Sequence, residues 1–352
     1  MEGEGTTDEG AGDVAQGKGA GAGRGRSWSG TRVTVTGGEG FIGSTLVERL
    51  VQEGAEVTAL TLYDPLGRQG WLDPAVHTDV RFLPGDVRDP LRVFEAVAGS
   101  EVVFHLAALI GIPYSYVAPD SYVQVNVQGT QNVAHACRQA GVDRLVHTST
   151  SETYGSALTV PIDEDHPLQP QSPYSASKIG GDMMALSFHH AFQLPVAVVR
   201  PFNTYGPRQS TRAVIPTILS QLHAGAEVIE LGSTTPTRDF SYVDDTVAGF
   251  LAVAQCDRAI GQVVNIGSGR EISIGDLVRT LIEVTGSTAE VAVDEARLRP
   301  AGSEVERLLC DNTRAREWAG WEPQVSLEEG LRRTSDWVKD NLDRLHTAGY
   351  AI

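Results

Sequence analysis

Residues 32–43 read RVTVTGGEGFIG, and the fold is decided there. A short β-branched run stops at Gly37, and glycines recur at positions 40 and 43. Directly behind them FIGSTLVERLVQEG places apolar residues at helical spacing and ends on Gly54. A strand, a tight glycine turn and a helix in that order leave unpaired backbone N–H groups at the helix N-terminus. A pyrophosphate can be held at such a point, so Gly37, Gly40 and Gly43, with Phe41 and Ile42 between them, are candidate cofactor-binding residues.

The same beat runs outward along the chain. EVTALTL (56–62) and VRFLPGD (80–86) read as strands, followed by a helix near Leu91–Ala98 and the strand EVVFHLA (101–107). A helix over about 120–140 leads into RLVHTST (144–150), and a helix over 173–192 leads into PVAVVRPF (195–202). Strands alternating with helices of this length predict crossover units, hence a parallel sheet covered on both faces. After Tyr205 the elements shorten: helices near 214–224 and 245–254, the segment RDFSYVDD (238–245) and the strand VVNIG (263–267). The expectation is an α/β fold, a Rossmann-type doubly wound parallel sheet with a smaller interleaved α/β substrate lobe. The dinucleotide-binding part spans 31–205 with a return near 240–268, and the substrate lobe spans 206–340. Residues 1–30 hold ten glycines and little that is apolar, which predicts a disordered tail.

Composition narrows the function. Of 352 residues 41% are apolar and 21% charged, enough for a substantial core. No apolar run reaches the 18 or so residues of a membrane span. With 28 Lys and Arg against 45 Asp and Glu, the net charge of −17 disfavours nucleic acid and anionic membrane as partners. Cys137, Cys256 and Cys310 are odd in number and far apart, so neither a disulfide framework nor a zinc site is expected, and a cytoplasmic setting is. The histidines form no metal-ligand motif, and no metal is expected.

Other motifs extend the nucleotide site. An acid for the adenosine ribose is expected at the end of the second strand, where the chain has Thr61 and then Asp64 three residues later. NAD against NADP stays open, with NAD slightly favoured. Asp86 and Val87 follow the third strand, where an acid can bond an adenine amino group or cap the helix before Pro90. Leu106, Ala107 and Ala108 end the fourth strand with small residues suited to a flat cofactor, while His105 reads as structural. Ser172 suits an N-cap and Pro173 position N1, which sets Tyr174 and Lys178 at i,i+4 on one helix face. An ammonium beside a phenol favours phenolate, a base usable near neutral pH. Such a pair alone is usually a solvated helix face. Here it follows a fifth strand whose tip carries Thr150, Ser151 and Glu152, where open α/β sheets bind ligands.

TGGEGFIG (36–43), TSTSETYG (148–155), the Tyr174–Lys178 pair, RPFNTYGPRQ (200–209), RDFSYVDD and RPAGSEVERL (299–308) occur in that order. Together they resemble the extended short-chain dehydrogenase/reductase family of nucleotide-sugar enzymes, the NAD-dependent epimerase/dehydratases, over about residues 31–340. LIGIPYSYVAPDSY (109–122) and QSPYSASKIG (171–180) resemble in particular the bacterial UDP-N-acetylglucosamine 4,6-dehydratases of legionaminic acid synthesis. The resemblance implies that Tyr174, helped by Thr150 and Lys178, removes the sugar O4 proton while the C4 hydride passes to nicotinamide. It implies that Glu152 takes the C5 proton, that water leaves from C6, and that the hydride returns there, so NAD(P) stays tightly bound and is recycled. Ser151 stands where some hexose dehydratases carry an Asp, which leaves its part in proton transfer open. Pro201 borders the cofactor in this likeness. It implies that Asn203, Arg208, Arg238, Arg299 and Glu304 face the nucleotide-sugar substrate. A homodimer is implied through the helices at 120–140 and 173–192, with Val123, Val127, Met184 and Phe188 available. UDP-uronate decarboxylase and 4-epimerase are the alternatives, and a scaffold without catalysis has no need of Thr150, Glu152, Tyr174 and Lys178 together.

Overall fold

The structure is a computed structural model that describes residues 27–65, 70–72, 78–298 and 300–345. Residues 1–26 of the expected tail lie outside the described residues. Its last four do not behave as a tail, because Trp28 is only 6% exposed and its ring lies 5.9 Å from that of Phe104. A large apolar ring at the edge of a core outweighs the glycines before it.

The first half of the chain builds the sheet. It runs β1 (Arg32–Thr36), α1 (Phe41–Gln52), β2 (Glu56–Thr61), β3 (Val80–Pro84), α2 (Pro90–Val97) and β4 (Val102–His105). Two short helices, α3 (Ile112–Val117) and α4 (Pro119–Tyr122), lead through a π-helical turn (Val123–Gln128) into α5 (Gly129–Ala140). β5 (Arg144–Thr148), a 3₁₀ turn (Ser151–Tyr154), α6 (Pro173–Phe192) and β6 (Val196–Pro201) complete this half. The seven strands stand in the order β10-β6-β5-β4-β1-β2-β3, all parallel, with β10 (Val263–Ile266) returning beside β6. The winding reverses between β1 and β4, which opens a crevice at their carboxyl ends.

The strands are apolar nearly throughout because both faces are covered. Val33, Val35, Phe104, Val146, Ala197 and Val199 point to one core, which α1 and the later helix near Phe250 close. Their alternating neighbours Val103, Leu145, Val196 and Val198 point to a second core under α2, α5 and α6. Each fully buried Val or Leu is worth about 1.5–3 kcal/mol of transfer free energy, so register is fixed by many such contacts at once.

One difference from the sequence expectation bears on the site. The helix expected over about 120–140 is interrupted by the π turn, and the reason is Asn126. Its Nδ2 donates to the Leu109 carbonyl and to Ser177 Oγ, each at 2.9 Å, while its Oδ1 accepts from Leu109 N at 2.9 Å. The extra residue in that turn keeps Asn126 buried between the β4 exit and α6.

The second half forms β7 (Asn203–Tyr205), α7 (Val214–His223), β8 (Val228–Leu231), β9 (Thr237–Tyr242) and α8 (Val243–Ala254). After β10 come β11 (Glu271–Ser273), α9 (Ile274–Thr285), β12 (Glu290–Val293), α10 (Thr313–Ala319) and α11 (Leu327–Asp340). A three-stranded sheet β11-β9-β7 and a pair β12-β8 pack with α7, α9 and α11 around a third core. RDFSYVDD is thus a strand entering a helix without a loop. In it Asp239 is a structural clamp, accepting from Ser268, Gly269 and Cys310 backbone N–H groups.

Candidate active site

The crevice between β1 and β4 is built for close approach. Gly37 sits at φ 70°, and a β-carbon there would lie 2.9 Å from Ala107 N. At Gly43 a β-carbon would fall 2.1 Å from the Gly37 carbonyl oxygen, so both positions exclude a side chain. Gly40 is the N-cap of α1 and no side chain caps the helix, which leaves its first-turn N–H groups open to an anion. Thr36 Oγ1 accepts from Ala107 N at 3.1 Å and meets His105 Nδ1 at 2.8 Å, tying the two strand tips together. His105 also meets Thr130, and burial followed by the charges of His147 and Lys178 holds its pKa well down. It is a structural histidine.

At the outer rim Asp86 accepts from the Arg88 side chain at 2.7 and 3.0 Å, and that pairing holds its carboxyl below the usual range. It does not cap the next helix. Asp89 does, accepting from Leu91 and Arg92 N–H groups. Val87 is buried under Gly129. Leu106 and Ala108 flank Ala107, and Pro201 ends β6.

A capping box of Ser172 and Ser175, with Pro173 at N1, starts α6 and aims Tyr174 inward. Tyr174 is 7% exposed, its phenol is hydrogen-bonded to Thr150, and the Tyr122 ring stands edge-on at 6.2 Å. Glu152 follows Thr150 on the 3₁₀ turn, with its N–H 3.3 Å from Thr150 Oγ1. Burial pushes the Tyr174 phenol well above its ordinary value; the Thr150 bond lowers it, and the charge of Glu152 raises it again. Ser151 is buried beside them.

Lys178 departs from the sequence expectation. Its Nζ donates to the Thr148 carbonyl at 2.6 Å, and burial brings it down to about 8 against the attraction of Asp182. One turn further, Asp182 accepts from Arg200 at 2.7 Å and Ser149 at 2.6 Å, with His147 Nε2 at 3.2 Å, all fully buried. Burial alone would raise Asp182, but Arg200 and these partners hold it well below its ordinary value.

On the other wall Arg238 is buried on β9, donating to Glu304 at 3.1 Å and to the Thr237 carbonyl at 2.9 Å. Asn203 opens β7, and its Oδ1 is buried with no hydrogen-bond partner among the described residues. Arg208 does not join them. It takes φ 74° and turns onto α1, 2.9 Å from Glu48 and 3.2 Å from Ser44 Oγ, because that acid lies within its reach behind the glycine turn. Arg299 lies outside the described residues. A cavity of about 250 Å³ is lined by the segment 108–111 with Tyr114, Tyr122 and Arg212, and Tyr122 is the ring that stands edge-on to Tyr174.

The family model for GDP-mannose 4,6 dehydratase matches residues 34–334, which takes in every site residue described above. The chain belongs to this family. It is 37% identical to a UDP-glucose 4-epimerase of Mycolicibacterium smegmatis over 88% of this chain and 99% of that protein. It is 38% identical to a dTDP-glucose 4,6-dehydratase of Streptomyces griseus over 87% of this chain and 94% of that one. A solved structure of the dTDP-glucose 4,6-dehydratase DesIV from Streptomyces venezuelae, with NAD bound, superposes with a TM-score of 0.83 at 32% identity, covering 90% of this chain and 99% of that one. The chain is therefore an enzyme of the nucleotide-sugar 4,6-dehydratase and epimerase family, with the Rossmann-type fold that the strand, glycine turn and helix at 32–52 announce.

Three polar residues around this cleft are not singled out by the sequence. Asp182 follows Lys178 at i+4 on the buried face of α6, and an acid at that period was the available signal. Glu39, inside the glycine turn, and Arg212, ahead of α7, lie on loops with no periodicity to betray them.

Proposed function

We propose that this enzyme is an NAD-dependent 4,6-dehydratase acting on UDP-N-acetylglucosamine or a related nucleoside diphosphate hexose, giving a 4-keto-6-deoxy sugar. The observation that carries the reading is Glu152, a carboxylate two residues past Thr150 and close enough to raise the Tyr174 phenol. Inverting C4 needs no base at C5, so an acid beside the phenol has a task only if the C5–H bond breaks. The cleft fits a dinucleotide, since Gly37 and Gly43 exclude side chains along it, Gly40 leaves the start of α1 uncapped, and Ala107 and Ala108 keep the facing strand tip low. Held there, NAD supplies the acceptor for the C4 hydride and its donor at C6.

The protein's own groups do the rest. Tyr174, bonded to Thr150, takes the O4 proton, and Lys178 is the cation on the same helix face. Glu152 takes the C5 proton that the 4-ketone has made acidic, then protonates the departing 6-hydroxyl. Arg238 and Asn203 contact the diphosphate, where a guanidinium fork suits bidentate pairing. A second reading, a uronate substrate that loses CO₂, is supported by Arg212 in the lining of the Tyr114–Tyr122 cavity, a cation suited to a carboxylate. Incubation with a panel of nucleotide hexoses and uronates, followed by mass spectrometry, tests both. Loss of water from UDP-N-acetylglucosamine is expected; loss of CO₂ supports the second reading, and a product of unchanged mass overturns both. The working unit is proposed to be a homodimer, its contact formed by α4, the π turn and α6, where Val123 is 56% and Met183 48% exposed.

A further inference from the structure

The second strand ends without the acid that an adenosine ribose calls for. Thr61 closes β2, and Leu62 and Tyr63 behind it are exposed. A carboxylate nevertheless reaches this spot from another element. Glu39 lies between Gly38 and Gly40 in the glycine turn, and its Oε1 accepts from Leu62 N at 2.8 Å. Its other oxygen, Oε2, is buried with no hydrogen-bond partner among the described residues. Trp71 N donates to the Glu39 carbonyl at 3.0 Å, and a β-carbon on Gly70 would lie 2.3 Å from that same oxygen, so the segment 70–72 presses on the turn and fixes it.

We propose that Glu39 is the ribose-binding carboxylate of this enzyme, its free oxygen accepting an adenosine hydroxyl and its charge excluding a 2′-phosphate. The inference rests on the nucleotide reading of the cleft. An ionised carboxyl with one oxygen bonded to the chain and the other buried unpaired is unfavourable by itself, and a hydroxyl donor at that oxygen removes the deficit. A phosphate brought to the same oxygen offers a second anion and no donor. Specificity then comes from a repulsive element as much as from an attractive one. The glycines on either side suit this role, because their bare backbone lets the side chain fold back over the turn to the tip of the neighbouring strand. The missing strand-end acid and the unpartnered Glu39 oxygen thus have one explanation.

The test is equilibrium binding. Full-length protein freed of nucleotide is titrated with NADH and with NADPH, following nicotinamide fluorescence, for wild type, Glu39→Gln and Glu39→Ala. Glu39→Gln keeps the shape and an acceptor for Leu62 N, so it reads the charge alone, and thermal melting verifies that each variant is folded. Wild type should favour NADH, and either variant should weaken NADH by about 10- to 100-fold, the worth of one charge-assisted hydrogen bond, while the NADH/NADPH ratio collapses. Folded variants with an unchanged ratio overturn the role of Glu39 and leave the nucleotide site standing. A wild type that binds neither nucleotide overturns the nucleotide reading and the inference together. A wild type that prefers NADPH overturns the inference alone.

Discussion

Burial raises the phenol of Tyr174 and lowers the ammonium of Lys178, two opposite shifts with one cause, the removal of water from the same face of α6. Two predictions belong at this scale. Tyr174→Phe should stop turnover before oxidation. Glu152→Gln should permit oxidation at C4 but slow elimination by about 10²–10⁴-fold, the usual worth of a positioned acid–base group. In deuterated water the wild-type product should carry deuterium at C5, and a Gln variant that dehydrates at near wild-type rate would return Glu152 to an ordinary loop acid. Lys178 makes the second. Its ammonium deprotonates near 8 in the fold but near 10.5 in the unfolded chain, so between those values the unfolded state holds the extra proton. Stability should therefore gain from this group as pH rises across that window, and Lys178→Met should lose that gain in urea midpoints measured from pH 8 to 10.

At the scale of elements, α6 is seated by one buried cluster. Asp182 meets Arg200 of β6, His147 of β5 and Ser149 just past it, so helix and two strands share a single polar clasp. Asp182→Ala would leave Arg200 buried and uncompensated, a loss of about 3–5 kcal/mol visible in chemical denaturation. Because the folded carboxyl lies below 3.8, its contribution is complete above that pH and declines as the solution becomes more acid. The glycine turn is equally intolerant. Gly43→Ala would force a β-carbon to 2.1 Å from the Gly37 oxygen, and the turn must open. NADH binding should fall far more than the melting temperature does, since only the loop and the first turn of α1 need move.

Across the whole molecule, two large apolar cores lie on the two sides of one sheet, and α8 serves that sheet although the chain has by then entered the smaller β9 layer. The proposed dimer belongs at this scale. Of the residues the sequence offered for the contact, Phe188 turns into the protein's own core at 7% exposure, whereas Val123 stays open at 56%. Met183, not its neighbour Met184, is the exposed methionine of α6, and Met184 packs on the inner core. Light scattering should give twice the chain mass at micromolar concentration, and Val123→Glu with Met183→Glu should halve it. A monomeric wild type would remove the dimer.

The strand–turn–helix at 32–52, the start of α6 at Pro173 and the placing of Tyr174 and Lys178 one turn apart on that helix are legible in the chain alone. Each is a local matter of β-branching, glycine, capping and a period of 3.6. The alternating beat also determined the parallel sheet, because crossover connections admit few other arrangements. Where the long side chains end depends on the packed fold. Arg208 went to Glu48 on α1 rather than to the substrate wall, and Lys178 went to a backbone carbonyl rather than to its tyrosine. Asn126 bent a helix into a π turn to reach Leu109 and Ser177. Glu39 crossed from one strand tip to the next. Arg208 also reaches Ser44, 164 residues away in the chain, and no local pattern encodes a hydrogen bond closed over such a distance. Burial then leaves each polar group a short choice of partners, and the nearest one able to satisfy it decides its place.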